Sequence, residues 1–217
     1  NGLYAYAAVS VGAGESGSKT ISATVAGKTV NGTLVICDHK NTTTVITKSA
    51  DCYNEGSITG VDYVGGVVGA GNTVITNCYN IGIVNGNERV GGVVGYSKAY
   101  NGSTTVANCY NTGSITGSNY VGGVVGYSRS AYNRSTTVAN CYNTGIVNGN
   151  ERVGGVVGYN EGGTVTDCYN EGSITGGNGV GGVVGYGGGT VTDCYNEGSI
   201  TGKRNVGGVV GYNEGGT

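Results

Sequence analysis

Cys37-Asp38-His39 is the one place where a nucleophile, a carboxylate and a base stand side by side, and His39 is the only histidine in the chain. Nucleophilic catalysis needs thiolate and imidazole within hydrogen-bond reach of each other. Neighbouring residues on a strand point to opposite faces, so the triplet reads as a turn and not as a catalytic pair. Zinc is disfavoured by the absence of Cys-x-x-Cys spacing and by the single histidine. Glu55, Glu171 and Glu197 occupy equivalent places in a repeat. Carboxylates brought together there could hold calcium, but the calcium-binding nonapeptide repeat is absent, and exposed turn carboxylates are the plainer reading. A glycosidase pair would interrupt a repeat, whereas these recur with it. No catalytic residue, metal or other cofactor is expected, and the chain reads as non-enzymatic.

The composition points the same way. Of 217 residues, 47 are Gly and none is Pro, Met, Trp or Phe, and 17 Tyr are the only aromatics. Charged residues make up 11%, under half the roughly 25% of an ordinary soluble domain. So much glycine suggests disorder, but the formal net charge is only −2 and Val, Ile and Thr are abundant. The absence of proline excludes collagen and mucin-like stalks. No apolar run reaches the ~18 residues of a membrane helix. Eleven basic against 13 acidic residues give no electrostatic reason to bind nucleic acid or anionic lipid.

What orders these residues is a repeat. Cys52, Cys78, Cys109, Cys141, Cys168 and Cys194 each begin a Cys-Tyr-Asn, at spacings of 26, 31, 32, 27 and 26 (successive differences of those numbers). From Asp51 to the end the chain is six copies of one unit, the longer copies gaining residues after Val-Val-Gly-Tyr, where a surface loop tolerates them. Each unit holds three strand-like pieces, Gly-Ser-Ile-Thr-Gly, Val-Gly-Gly-Val-Val-Gly-Tyr and Thr-Val-Thr-Asp-Cys-Tyr. They are β-branched and punctuated by Gly, Asn and Asp, and no window has helical periodicity. A propeller blade needs about 40–50 residues. The unit therefore predicts an all-β fold, a parallel, three-sided β-solenoid or β-helix.

In-register stacking at ~4.8 Å makes ladders of like residues. Ile58, Ile115, Ile174 and Ile200, with Val in the other two coils, form one aliphatic column. One valine of each Val-Val pair, such as Val68, Val94 and Val125, forms another. Asn54, Asn80, Asn111, Asn143, Asn170 and Asn196 fall at a bend, where Asn tolerates left-handed backbone and its amide can bond along the stack. The Gly-Gly pairs allow either positive φ or close backbone approach. The six cysteines form a buried thiol ladder or inter-coil disulfides. The thiol ladder is favoured because parallel neighbours aim their Cβ atoms alike and the ~90° disulfide torsion is hard to reach. Tyr53, Tyr79, Tyr110, Tyr142, Tyr169 and Tyr195 make an aromatic ladder, and Tyr96, Tyr127, Tyr159, Tyr186 and Tyr212 make a second. Their expected roles are lateral stabilisation or a flat surface for sugars or a neighbouring filament. A hydroxyl rank suited to ice is broken where Ser-Ile-Thr becomes Ile83-Val84-Asn85 and Ile146-Val147-Asn148.

Gly66-Val67-Val68-Gly69 and its five successors, followed by Cys-Tyr-Asn-x-Gly, resemble the GLUG motif of bacterial surface and secreted proteins, with Val where that family often has Leu. The resemblance covers Asp51 to Thr217. It implies a large extracellular protein, as in regions flanking IgA-protease-type peptidases, and a right-handed β-helical stalk. The motif contains no catalytic residue.

Residues 23–36 align without gaps on 56–69, and Thr44–Thr47 aligns on Thr73–Thr76. Residues 23–50 are therefore expected to be a degenerate first coil, giving about seven coils and a rod roughly 35 Å long. Residues 1–22 lie outside the repeat, with an alternating strand at Leu3, Tyr4, Ala5, Tyr6, Ala7, Ala8 and Val9. The last coil lacks its third strand and any polar cap. The expectation is that this arm completes a neighbour's last coil, around Val209, Val210 and Tyr212, by strand addition, giving a head-to-tail homopolymer. Asn1 is not a start methionine, so a removed leader or a fragment is expected. Asn31, Asn41, Asn101 and Asn133 match the N-glycosylation pattern. The expected function is an extracellular or cell-surface filament subunit or adhesin stalk. The alternative is an adhesin module that binds glycans or a host surface, with ice binding behind it.

Overall fold

The computed structural model describes residues 17–25, 28–36, 48–71, 74–99, 102–130 and 135–215, with side chains from residue 49 onward. The expected sites at Leu3–Val9, Cys37-Asp38-His39, Asn41, Asn101 and Asn133, and the side chain of Asn31, lie outside them.

From Lys48 onward the chain winds as six coils, at residues 48–71, 74–98, 104–129, 136–161, 164–187 and 190–213. Each coil contributes one strand to each of five six-stranded parallel sheets. Among the described residues there is no helix, and none is long and apolar enough to cross a membrane. The register is the repeat itself: Ile58, Val84, Ile115, Val147, Ile174 and Ile200 pair in series, and so do the six Cys-Tyr-Asn tyrosines. The parallel solenoid expected from the spacing is the fold.

Three details differ. Each coil has five short strands, not three. The Thr-Val-Thr-Asp-Cys-Tyr run is split by a residue in the left-handed region, Asp51, Asn77, Asn108, Asn140, Asp167 or Asp193, at φ of 52–57° in five of them and 51° in Asn140. The ladder asparagines are not among the left-handed residues; the turn is made three positions earlier, by residues of the same tolerant class. Both valines of each pair are buried in the interior coils (Val93 with Val94, Val124 with Val125), because the pair sits at a corner.

Among the described residues there are six coils, not seven. Gly17–Val25 and Lys28–Ile36 pair with each other antiparallel, from Gly17↔Ile36 to Val25↔Lys28. Of the described residues before Asp51, only Lys48–Ala50 joins the stack, on Val74–Thr76, three residues later than the alignment of Thr44–Thr47 implies. Thr33 shows why. It aligns on Gly66, where a Cβ would lie 2.2 Å from the Gly92 carbonyl oxygen of the next coil. A side chain there forbids stacking, while a two-residue connection between extended runs favours a hairpin.

The core is two apolar columns. One packs the Val-Val pairs against the cysteines and Ile75, Val106, Val138 and Val165. The other packs Val84, Ile115, Val147 and Ile174 against Val90, Val121, Val153 and Val180.

Candidate functional site

Four side-chain ladders run along the rod. The first is asparagine. Each Nδ2 donates to the Oδ1 of the next coil's asparagine, Asn54 to Asn80 and so on to Asn170 to Asn196, at 2.7–2.8 Å. The same Nδ2 donates to the carbonyl two residues on, as Asn111 does to Gly113 at 2.8 Å. Asn80, Asn111, Asn143 and Asn170 are fully buried, a burial tolerable only because both partners are present. The amide column needs room on both sides, and glycine supplies it. A Cβ on Gly123 would lie 2.0 Å from the Gly155 carbonyl oxygen, and one on Gly145 2.0 Å from that of Gly113. Close approach, not positive φ, is the reason for the Gly-Gly pairs.

The cysteine ladder lies two positions earlier in the chain. Every Sγ donates to the carbonyl two residues earlier, at 3.0–3.3 Å. All six thiols are free, so no inter-coil disulfide forms among them. Burial pushes the Cys141 thiol well above its ordinary range, with its neighbours Cys109 and Cys168 adding to the shift. Hydrogen bonding to Cys78 and burial raise Cys52 likewise.

Outside lies the first tyrosine ladder. Tyr53, Tyr79, Tyr110, Tyr142, Tyr169 and Tyr195 stack with centroids 4.8–5.1 Å apart and planes within 2–6°. Each interior ring has a ring on both faces, so a sugar finds free faces only at the ends, Tyr53 and Tyr195.

The second tyrosine ladder has a partner that sequence reading missed. Tyr63, Arg89, Tyr120 and Arg152 share one left-handed position in successive coils. The Arg89 guanidinium lies 4.9 Å from the Tyr63 ring centroid and 5.4 Å from that of Tyr120. Arg152 lies 5.0 Å from Tyr120 and 5.2 Å from Tyr186. Alternation places Arg89 between Tyr63 and Tyr120, while Arg152 has Tyr120 on one side in the column and takes Tyr186 from the second ladder; it also avoids stacking arginine on arginine at one-coil spacing. Arg89 also bonds Asp62 at 2.9 Å and Glu88 at 3.2 Å. Tyr127 hydrogen-bonds Glu161, which pairs with Arg129 at 3.3 Å; burial, then the Glu161 bond, push the Tyr127 phenol up. The clue in the sequence is the alternation of Asp62-Tyr63-Val64 with Glu88-Arg89-Val90, a period of two coils.

Glu171 and Glu197 adjoin stacked Asn170 and Asn196. Among the described residues no three His, Cys, Asp or Glu side chains come together around a common point. The outward rank Thr59, Asn85, Thr116, Asn148, Thr175 and Thr201 pairs in series and alternates hydroxyl with amide through its first five members.

The family model of the GLUG motif matches residues 86–116 and 149–175. The chain carries the GLUG motif at these two stretches. No curated protein matches it. Among solved structures it is similar to a candidate immunoglobulin A1 protease from Bacteroides ovatus, at 23% identity with a TM-score of 0.56. The match covers 74% of this chain and 56% of that one, so the chain spans just over half the length of that protein. At this identity the likeness establishes a shared fold.

Proposed function

We propose that the chain is a non-enzymatic, extracellular or surface rod, a filament subunit or adhesin stalk whose work is mechanical. The observation that carries this is that the asparagine, cysteine and tyrosine ladders run without a break through all six coils. The inward asparagines and the paired strands join each coil to the next, and the rod lengthens by adding coils without changing its section. Ladders of this kind resist bending because each rung bonds to both neighbours through backbone and side chain alike. The GLUG repeats and the fold shared with a bacterial protease-like protein support a secreted or surface setting. Small-angle scattering of the purified chain tests the reading. Removing one whole unit is expected to shorten the longest dimension by about 4.8 Å and leave the cross-section unchanged, and a cross-section that changes with the number of coils would overturn it.

Glycan or host-surface binding is the second reading, favoured by the exposed end rings Tyr53 and Tyr195. It predicts retention on glycan arrays that is lost in Tyr195→Ala.

A further inference from the structure

The six ladder thiols are evenly spaced because each makes the same bond. Every Sγ donates to the carbonyl two residues earlier at 3.0–3.3 Å, so all six side chains hold one orientation and the sulfurs repeat at the coil step. The tyrosines one residue on measure that step as 4.8–5.1 Å. A disulfide needs its sulfurs at about 2.05 Å, which parallel, in-register Cβ atoms do not allow. Two metal–sulfur bonds of about 2.3 Å, the length of a zinc thiolate bond, laid end to end reach roughly 4.6 Å. A spacing too wide for S–S therefore suits S–metal–S. Each of the five gaps also has a backbone oxygen beside it. The Sγ atoms of Cys78, Cys109, Cys141, Cys168 and Cys194 lie 3.5–3.8 Å from the carbonyls of Ser49, Ile75, Val106, Val138 and Val165 in the preceding coil.

We propose that the thiol column is a binding site for soft, two-coordinate monovalent cations, copper(I) or its heavier congener silver(I), one in each gap between successive sulfurs. This goes beyond the rod reading and does not rest on it. Sulfur ligands select soft cations, and a linear ion needs two donors where a structural zinc needs four. Among the described residues no three acid, imidazole or thiol groups meet around one point, so the column suits the linear ion alone. The charge also balances. The first ion displaces two thiol protons and leaves one negative charge, which is costly in a column packed by Val93, Val124 and Val156. Each ion in an adjoining gap displaces one proton and shares a thiolate already bound, so it adds no charge. A full column is six thiols and five cations becoming one row of five cations bridged by six thiolates. Its net charge is −1, and six protons pass to solvent. Uptake is therefore cooperative, since an ion beside a filled gap adds no charge and an isolated one does. The carbonyls near each sulfur lose a donor and offer their oxygens to the cation.

The test uses the full chain with Cys37→Ser, so that only ladder thiols count, and silver(I), which needs no protection from oxygen. After gel filtration the folded parent should retain five silver ions, one per gap among the six thiols, and should have released six protons, with its β-sheet circular dichroism intact. Cys194→Ala shortens the column and should retain four. Cys141→Ala divides it into runs of three and two thiols and should retain three, because one deletion removes two gaps. Cys78→Ala leaves four thiols in series and should also retain three. Circular dichroism without metal shows which of the two interior variants keeps the fold, and either one decides. A loss of one ion per deleted cysteine, at interior and end positions alike, overturns the column. So does a parent that binds six, binds none, or binds only on losing its β-sheet spectrum. Retention of zinc(II) in equal number overturns the two-coordinate site.

Discussion

At the scale of single residues, the fold depends on groups that are costly alone and stable together. Asn111 is fully buried, receives the Asn80 amide and donates to Asn143. In Asn111→Ala, Asn80 loses an acceptor and Asn143 a donor, in a site closed to water. At about 1–3 kcal/mol for each unsatisfied group, the loss is expected to be roughly 2–5 kcal/mol, read as a lower denaturation midpoint. Asn111→Asp should be as damaging, because a carboxylate cannot donate onward. Gly123→Ala brings a Cβ within 2.0 Å of a backbone oxygen and is expected to break the stack between coils three and four, seen as loss of cooperativity in the melt. The thiols give a third outcome. With Cys141 buried and its ionisation pushed well up, a thiol reagent should label it at pH 8 only as fast as the chain unfolds. Rapid labelling of all the ladder cysteines in the folded protein would contradict the buried column.

At the scale of the strand and the sheet, the repeat period and the types of inward residues were legible from spacing alone. The identity of the columns followed because in-register stacking leaves one arrangement of Cys, Asn and Ile. The break of Thr-Val-Thr-Asp-Cys-Tyr at Asp167 was not legible, because a left-handed residue in a β-branched run leaves no mark beyond its being Asp or Asn. The hairpin of Gly17–Val25 with Lys28–Ile36 escaped because gapless alignment scores apolar matches and gives no weight to Thr33 in a place where only hydrogen fits. The Tyr63-Arg89-Tyr120-Arg152 column was present as alternation with a two-coil period, which a search for one-coil identity passes over.

These sheets also set a response to alkali. Burial raises the ionisation of Tyr127, Tyr110, Tyr142, Tyr159 and Tyr169 above the ordinary value, so above about pH 10 the unfolded chain holds fewer protons than the folded one. Their contribution is fully present below that pH and is lost as pH rises through the folded-state values. The thiols of Cys52 and Cys141, raised above their ordinary value near 9, add the same sign of effect at lower pH. The melting temperature is therefore expected to be flat between pH 7 and 8, to begin to fall near 9 and to fall further above 10. A rise over that range would contradict the packing of the rings. Arg89→Leu should lower the melting temperature modestly, as it removes two ring contacts and the Asp62 pair, worth about 0.5–1 kcal/mol each when partly exposed.

At the scale of the molecule, stability is close to a sum over coils and their junctions, which is why the end coils leave half-exposed apolar residues such as Val206 and Val210. The six coils should give a rod about 30 Å long at ~4.8 Å per coil, and adding or removing one whole unit, such as residues 167–192, should change the length by one such step and leave the section alone. The claim beneath all of this is that identical segments lie one above another, parallel and unshifted. X-ray diffraction from an aligned film of the protein tests it most directly. A strong reflection near 4.8 Å along the rod axis is expected, with a far-ultraviolet spectrum of β-sheet. Its absence along that axis, or a spectrum dominated by helix, would contradict the stacked coil.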